Sequence, residues 1–152
     1  MIQAQRLGHA TIETTDFQKN LDYFVNVNGF VVAYKDATTA HLATRLGQLT
    51  LSLRQSAIND CTRLSFEVAP DTDFAAARKF LAAEGIPNEM RKDPFPGTPE
   101  CLTLTDPKGT QIDLFKSWDF LTGNQNVIIA NVPADRKAEI DALIAEYGLT
   151  TG

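Results

Sequence analysis

The chain has 152 residues, of which 43% are apolar and 22% charged, and a formal net charge of −5. That is the composition of one ordinary globular domain, long enough to bury a substantial core. It argues against a nucleic-acid partner, because Lys and Arg are scattered rather than clustered, and against a membrane span, which needs about 20 consecutive apolar residues.

The opening MIQAQRLG lacks the apolar core of a secretory leader, so the expectation is a cytoplasmic location. Residues His9 to Glu13 read as a strand with partial alternation. Thr14, Thr15 and Asp16 interrupt it, and Asp16 suits a helix N-cap because its carboxylate can accept an orphan backbone N–H. Phe17, Leu21, Phe24 and Val25 then share one side of a helix that Gly29 stops.

Three strands are predicted next, over 30–35, 38–46 and 48–54. The last alternates cleanly, with Leu49, Leu51 and Leu53 on one face and Thr50, Ser52 and Arg54 on the other. A sheet with helices on one side and a polar cavity on the other needs that pattern. QSAINDC, residues 55–61, is the expected link to the second half of the chain.

The opening pattern then recurs. Arg63-Leu64-Ser65-Phe66-Glu67 matches His9-Ala10-Thr11-Ile12-Glu13, Thr72-Asp73-Phe74 matches Thr15-Asp16-Phe17, and Gly85-Ile86 answers Gly29-Phe30. A second helix is predicted over 73–84 with Phe74, Ala77, Phe80 and Leu81 as its buried stripe. RKDPFPGTP, 91–99, reads as a Pro- and Gly-rich loop with Phe95 at a pocket edge. Two closing strands, 101–105 and 110–116, flank the turn Asp106-Pro107-Lys108-Gly109. Cys61 and Cys101 have no metal-motif spacing and read as reduced thiols.

The fold class expected is therefore α+β: two βαβββ modules, about 5–56 and 61–117, in a domain spanning 1–119. Residues 120–152 form a C-terminal extension with a strand over 127–132 and an amphipathic helix over 133–147, whose stripe is Ile140, Leu143, Ile144 and Tyr147. That stripe packs either on this domain or on a second copy, which would make a homodimer.

The duplicated pattern, with LGHATIETTD, LDYF and GF in the first module and LTDPKGTQIDLF closing the second, resembles the vicinal oxygen chelate superfamily. That group includes glyoxalase I, extradiol dioxygenases, methylmalonyl-CoA epimerase, and fosfomycin- and bleomycin-resistance proteins. The resemblance implies an eight-stranded, incompletely closed barrel with helices outside. It also implies metal ligands on the first and last strands of each module, which map by pattern onto His9, Thr50, Arg63 and Asp113.

That set is a poor one for a metal. Thr50 is a weak ligand, and Arg63 has no lone pair to donate. In a cavity of effective dielectric about 20, charges of +2 and +1 about 5 Å apart repel by several kcal/mol. The expectation is a vestigial site with no cofactor, in which Arg63 pairs with Asp113. The cavity then holds a small anionic or phenolic molecule through His9, Thr50, Ser52, Arg63, Phe95, Asp113 and Phe115, beside Thr11, Ser65 and Trp118. His9 is the candidate proton carrier, and His41 has no evident partner. A metal-dependent enzyme using Fe, Mn, Zn or Ni, with Glu13 or Glu67 as ligands, is the alternative. A non-catalytic structural module is the third reading.

Overall fold

The apolar residues of each module repeat at helical spacing in one segment and at every second residue in the strands, so each helix must cover one face of a sheet. The computed structural model describes residues 2–121. Its elements run β1 (Ala4–Thr14), α1 (Phe17–Asn26), β2 (Val31–Lys35), β3 (Thr39–Ala43), β4 (Leu49–Gln55), β5 (Asp60–Val68), α2 (Phe74–Ala83), β6 (Asn88–Phe95), β7 (Thr98–Thr105) and β8 (Gln111–Phe115). Asp16 caps α1 by accepting from the Lys19 N–H, and Asp73 caps α2 by accepting from Ala75 and Ala76.

The strands make one curled sheet in the order β2-β3-β4-β1-β5-β8-β7-β6, open at both ends. This is the α+β half-barrel expected, and both modules contribute to it within one chain. Within each module the first and last strands run parallel, β1 with β4 and β5 with β8, and an antiparallel β1–β5 seam joins the two. Phe17 and Leu21 of α1 pack on Ala40, Leu42, Leu51 and Leu53, while Phe74, Ala77 and Leu81 of α2 pack on Val68, Leu102 and Leu114. Both apolar clusters lie on the helix side, so the odd-even alternation of β4 sends Ser52 to the opposite side.

Two expectations are corrected. Residues 91–99 are not a loop but the arms of the β6–β7 hairpin, turning at Pro96-Gly97. β6 is an edge strand, where a proline removes no ladder bond that the fold needs. A register shift between Lys92 and Phe95, with Asp93 at φ 47°, takes up the irregularity. Phe80 is 62% exposed, because α2 turns Phe74, Ala77 and Leu81 inward. The strand expected at 127–132 and the helix at 133–147 lie outside the described residues. No helix among the described residues is long and apolar enough to cross a membrane.

β1 and β8 approach closely where Gly8 faces Phe115. A Cβ on Gly8 would run into two carbons of that ring, which is buried at 2% exposure. Gly8→Ala is expected to destabilise the domain by about 1–3 kcal/mol through overpacking. Urea unfolding checks this, and an unchanged midpoint would show that the ring has room to move.

Candidate functional site

Cross-strand register assembles the site. Tyr34 stands opposite His41, His41 opposite Ser52, Ser52 opposite Thr11, Thr11 opposite Arg63, and Arg63 opposite Gln111. Because side chains alternate between faces, this row projects to the side away from the helices. His41, Ser52, Thr11, Arg63 and Gln111 all line one cavity of about 530 Å³. Two residues along the strands, Thr39, Arg54 and Glu13 form a second row at the mouth. Arg91, Pro94 and Phe95 of β6 close the far side.

Below the middle row lies a buried polar layer. Arg63 Nη1 donates to both oxygens of Asp113, at 2.8 and 2.7 Å, and Asp113 is fully buried. Asp113 Oδ1 also accepts from Thr103 Oγ1 and, at 3.5 Å, from Cys101 Sγ. Burial pushes the Cys101 thiol up to about 11, so it stays protonated and unreactive at neutral pH. Phe95 holds the cations in place, with Arg63 and Arg91 at 5.5 and 6.0 Å from its ring centroid.

His9 occupies a bulged part of β1, where the pairing to β5 shifts between Leu7 and Ala10. A bulge leaves backbone groups without ladder partners, and Ser65 supplies them. Its Oγ accepts from the His9 N–H and donates to the His9 carbonyl, both at 2.8 Å. The imidazole is 3% exposed and packs edge-on against Phe95 at 4.4 Å, with Phe115 at 6.2 Å. Burial pushes its pKa down from 6.5 to about 4, against the opposing pull of Asp113. It is therefore neutral at pH 7, and its Nε2 is buried with no partner among the described residues.

Of the residues predicted from sequence, Thr11, Ser52, Arg63 and Phe95 line the cavity, whereas His9, Asp113 and Phe115 form the layer beneath it. Thr50 does not line the cavity; its hydroxyl donates to the Gln48 carbonyl. Nor is Thr50 the counterpart of Asp113. β1 and β4 pair Ala10 with Leu51, which puts Thr50 beside His9, and β5 and β8 pair Arg63 with Gln111 and Ser65 with Asp113. The counterpart of Asp113 is Ser52, one inward-facing residue further on. Glu67 is bonded to Arg6, and Trp118 packs on Phe120 under Arg6, so neither reaches the cavity wall. Glu13 does, and accepts from Ser56 Oγ at 2.9 Å.

Sequence reasoning passed over His41, Arg54, Arg91 and Gln111 as site residues. His41 Nδ1 lies 2.8 Å from Ser52 Oγ, and burial lowers its pKa. The parity of Thr39 and His41 in the TTAHLA stretch was the available signal, since both share the polar face opposite Ser52 and Arg54.

The chemistry of the donor set does not fit a divalent metal. Both Asp113 oxygens are engaged by Arg63, Thr50 is turned to Gln48, and a guanidinium cannot coordinate. His9 Nε2 is left as one nitrogen donor, and no group of three or more His, Cys, Asp or Glu is placed to hold an ion among the described residues.

The curled sheet, its module order and its inward polar rows define a vicinal oxygen chelate-type fold, the one seen in extradiol dioxygenases. Similar solved structures include an extradiol ring-cleaving dioxygenase from B. fuscum, with a TM-score of 0.72 and 23% identity over 84% of this chain and 36% of that one. Homoprotocatechuate 2,3-dioxygenase from Brevibacterium fuscum, in complex with 3,4-dihydroxyphenylacetate, gives 0.71 and 23% over 84% and 41%. No family model matches the chain. A separate sequence likeness is short: 32 residues, 21% of the chain, are 84% identical to the sulfite reductase [NADPH] hemoprotein beta-component of Methylobacterium nodulans. The same length is 81% identical to that of Methylobacterium radiotolerans. The chain spans 5% of either of these relatives and well under half of the dioxygenases.

Proposed function

We propose that this chain is a metal-independent binding protein for a small organic anion, held in the cavity of the half-barrel. One observation carries the reading: three guanidinium groups, from Arg54, Arg63 and Arg91, line the cavity against one carboxylate, Glu13. Arg63 is neutralised from below by Asp113, so the wall retains one net positive charge. Arg54 and Arg91 have no ion-pair partner among the described residues, and hydroxyls and amides supply most of the remaining lining. A cavity of this volume suits a small molecule with several non-hydrogen atoms.

The resemblance to metal enzymes of this fold supports a second reading, a dioxygenase-like activity, and the unpartnered His9 nitrogen is the feature in its favour. The donor set around it weighs against that reading. Thermal unfolding of protein purified without chelator and found free of stoichiometric Fe, Mn, Zn and Ni separates the two. Benzoate at millimolar concentration is expected to raise the melting temperature of the metal-free protein, because a ligand that binds the native state stabilises it. The Arg54→Gln/Arg91→Gln variant is expected to lose that rise. No rise, or a rise that requires added metal, would overturn the proposal.

A further inference from the structure

The cavity has two chemically different ends. At the mouth is Arg54, in the row with Thr39 and Glu13, while Arg91 stands on the far wall; in the middle row are Thr11 and Ser52, at 3% and 1% exposure, with His41 beside them. Thr11 Oγ1 is buried and has no hydrogen-bond partner among the described residues. An unmet buried hydroxyl costs stability, and here it belongs to a residue that lines the cavity. Ser52 bonds His41 Nδ1, which leaves the Nε2 of a neutral imidazole uncommitted by that contact.

From this we infer that Thr11 and His41, oriented by Ser52, form a subsite for an uncharged hydroxyl of the ligand, so that the ligand is a monocarboxylate carrying a hydroxyl at its far end. This rests on the anion-binding reading above. One net positive charge in the wall matches one carboxylate, and Arg63, which shares the inner row with Thr11, is already paired with Asp113 and leaves nothing to balance a second. Thr11 and Glu13 are two residues apart on β1, so the rows are separated by about 6–7 Å. A ligand whose hydroxyl and carboxylate are held that far apart reaches both. A hydroxyl can donate to one of the inner groups while accepting from the other, which satisfies Thr11 without ionising anything.

Rigid probes test it by calorimetry on the metal-free protein. 4-Hydroxybenzoate is expected to bind about tenfold more tightly than benzoate, the effect of one net hydrogen bond near the top of its usual range. 4-Hydroxybenzyl alcohol, which lacks the carboxylate, is expected to bind far more weakly than either. Thr11→Val keeps the shape and removes the hydroxyl. It should erase the preference for 4-hydroxybenzoate over benzoate and not lower the melting temperature, because the deleted group has no protein partner. Thr11→Ser should retain the preference. Equal affinity for the two acids, or an undiminished preference in Thr11→Val, would overturn the hydroxyl subsite while leaving anion binding intact. Failure of both acids to bind would overturn the anion site and this inference together.

Discussion

Replacing Arg63 with Met is expected to cost about 3–5 kcal/mol of stability, because it leaves the carboxylate of Asp113 buried without its counter-charge. Thr103 and Cys101 would remain as donors to Asp113, but neither carries charge. The double variant Arg63→Met/Asp113→Leu should recover most of the loss, since a buried ion pair replaced by apolar groups of similar volume is often neutral. Urea unfolding of the single and double variants checks both halves. A single variant within about 1 kcal/mol of the parent would mean that the Asp113 carboxylate is not desolvated as its burial implies.

Acid is expected to weaken the domain through His9, and the sign follows from its burial. The folded pKa lies near 4, below the ordinary value of 6.5, so the unfolded chain takes up a proton first as pH falls. This contribution is fully present above pH 6.5 and is lost as pH falls towards 4, amounting to about 3 kcal/mol. Carboxylates titrate in the lower part of that window, so the measurement is a difference between parent and His9→Leu. The variant should be at least as stable at pH 7, where the imidazole nitrogen is unpartnered, and should lose less than the parent between pH 6.5 and 4. Parallel stability curves for the two proteins would place the imidazole in contact with water.

Much of the fold was readable because it depends on local chemistry that is repeated. Asp16 and Asp73 announce two helix starts, and the Leu49–Leu53 alternation separates a helix side from a polar side. The Arg63–Asp113 pair was legible only through the resemblance, which put a cation and an anion at two positions where related folds hold metal ligands. What escaped was whatever depends on register between strands distant in sequence. His41 has no meaning until β3 is paired with β4, and Arg91 has none until the 88–105 stretch is a hairpin. The prolines of that stretch mislead because Pro94 is tolerated on an edge strand, Pro96 sits in the turn, and Pro99 precedes the part of β7 that pairs with β8. Phe80 misleads for a different reason: a ten-residue helix on a sheet buries a narrow stripe, and Phe80 lies outside it.

The two modules have diverged at one matched contact. In the first, the inward residue of the third strand meets that of the fourth as His41 and Ser52; in the second, the same places hold Thr103 and Asp113. A bowl built from identical halves would admit a guest equally well either way round. Here one half places a neutral pair at that contact and the other a carboxylate matched by Arg63, so the near-symmetry of the backbone is not carried into the chemistry of its two sides, and under the binding role proposed above the two ways of seating a guest differ in energy.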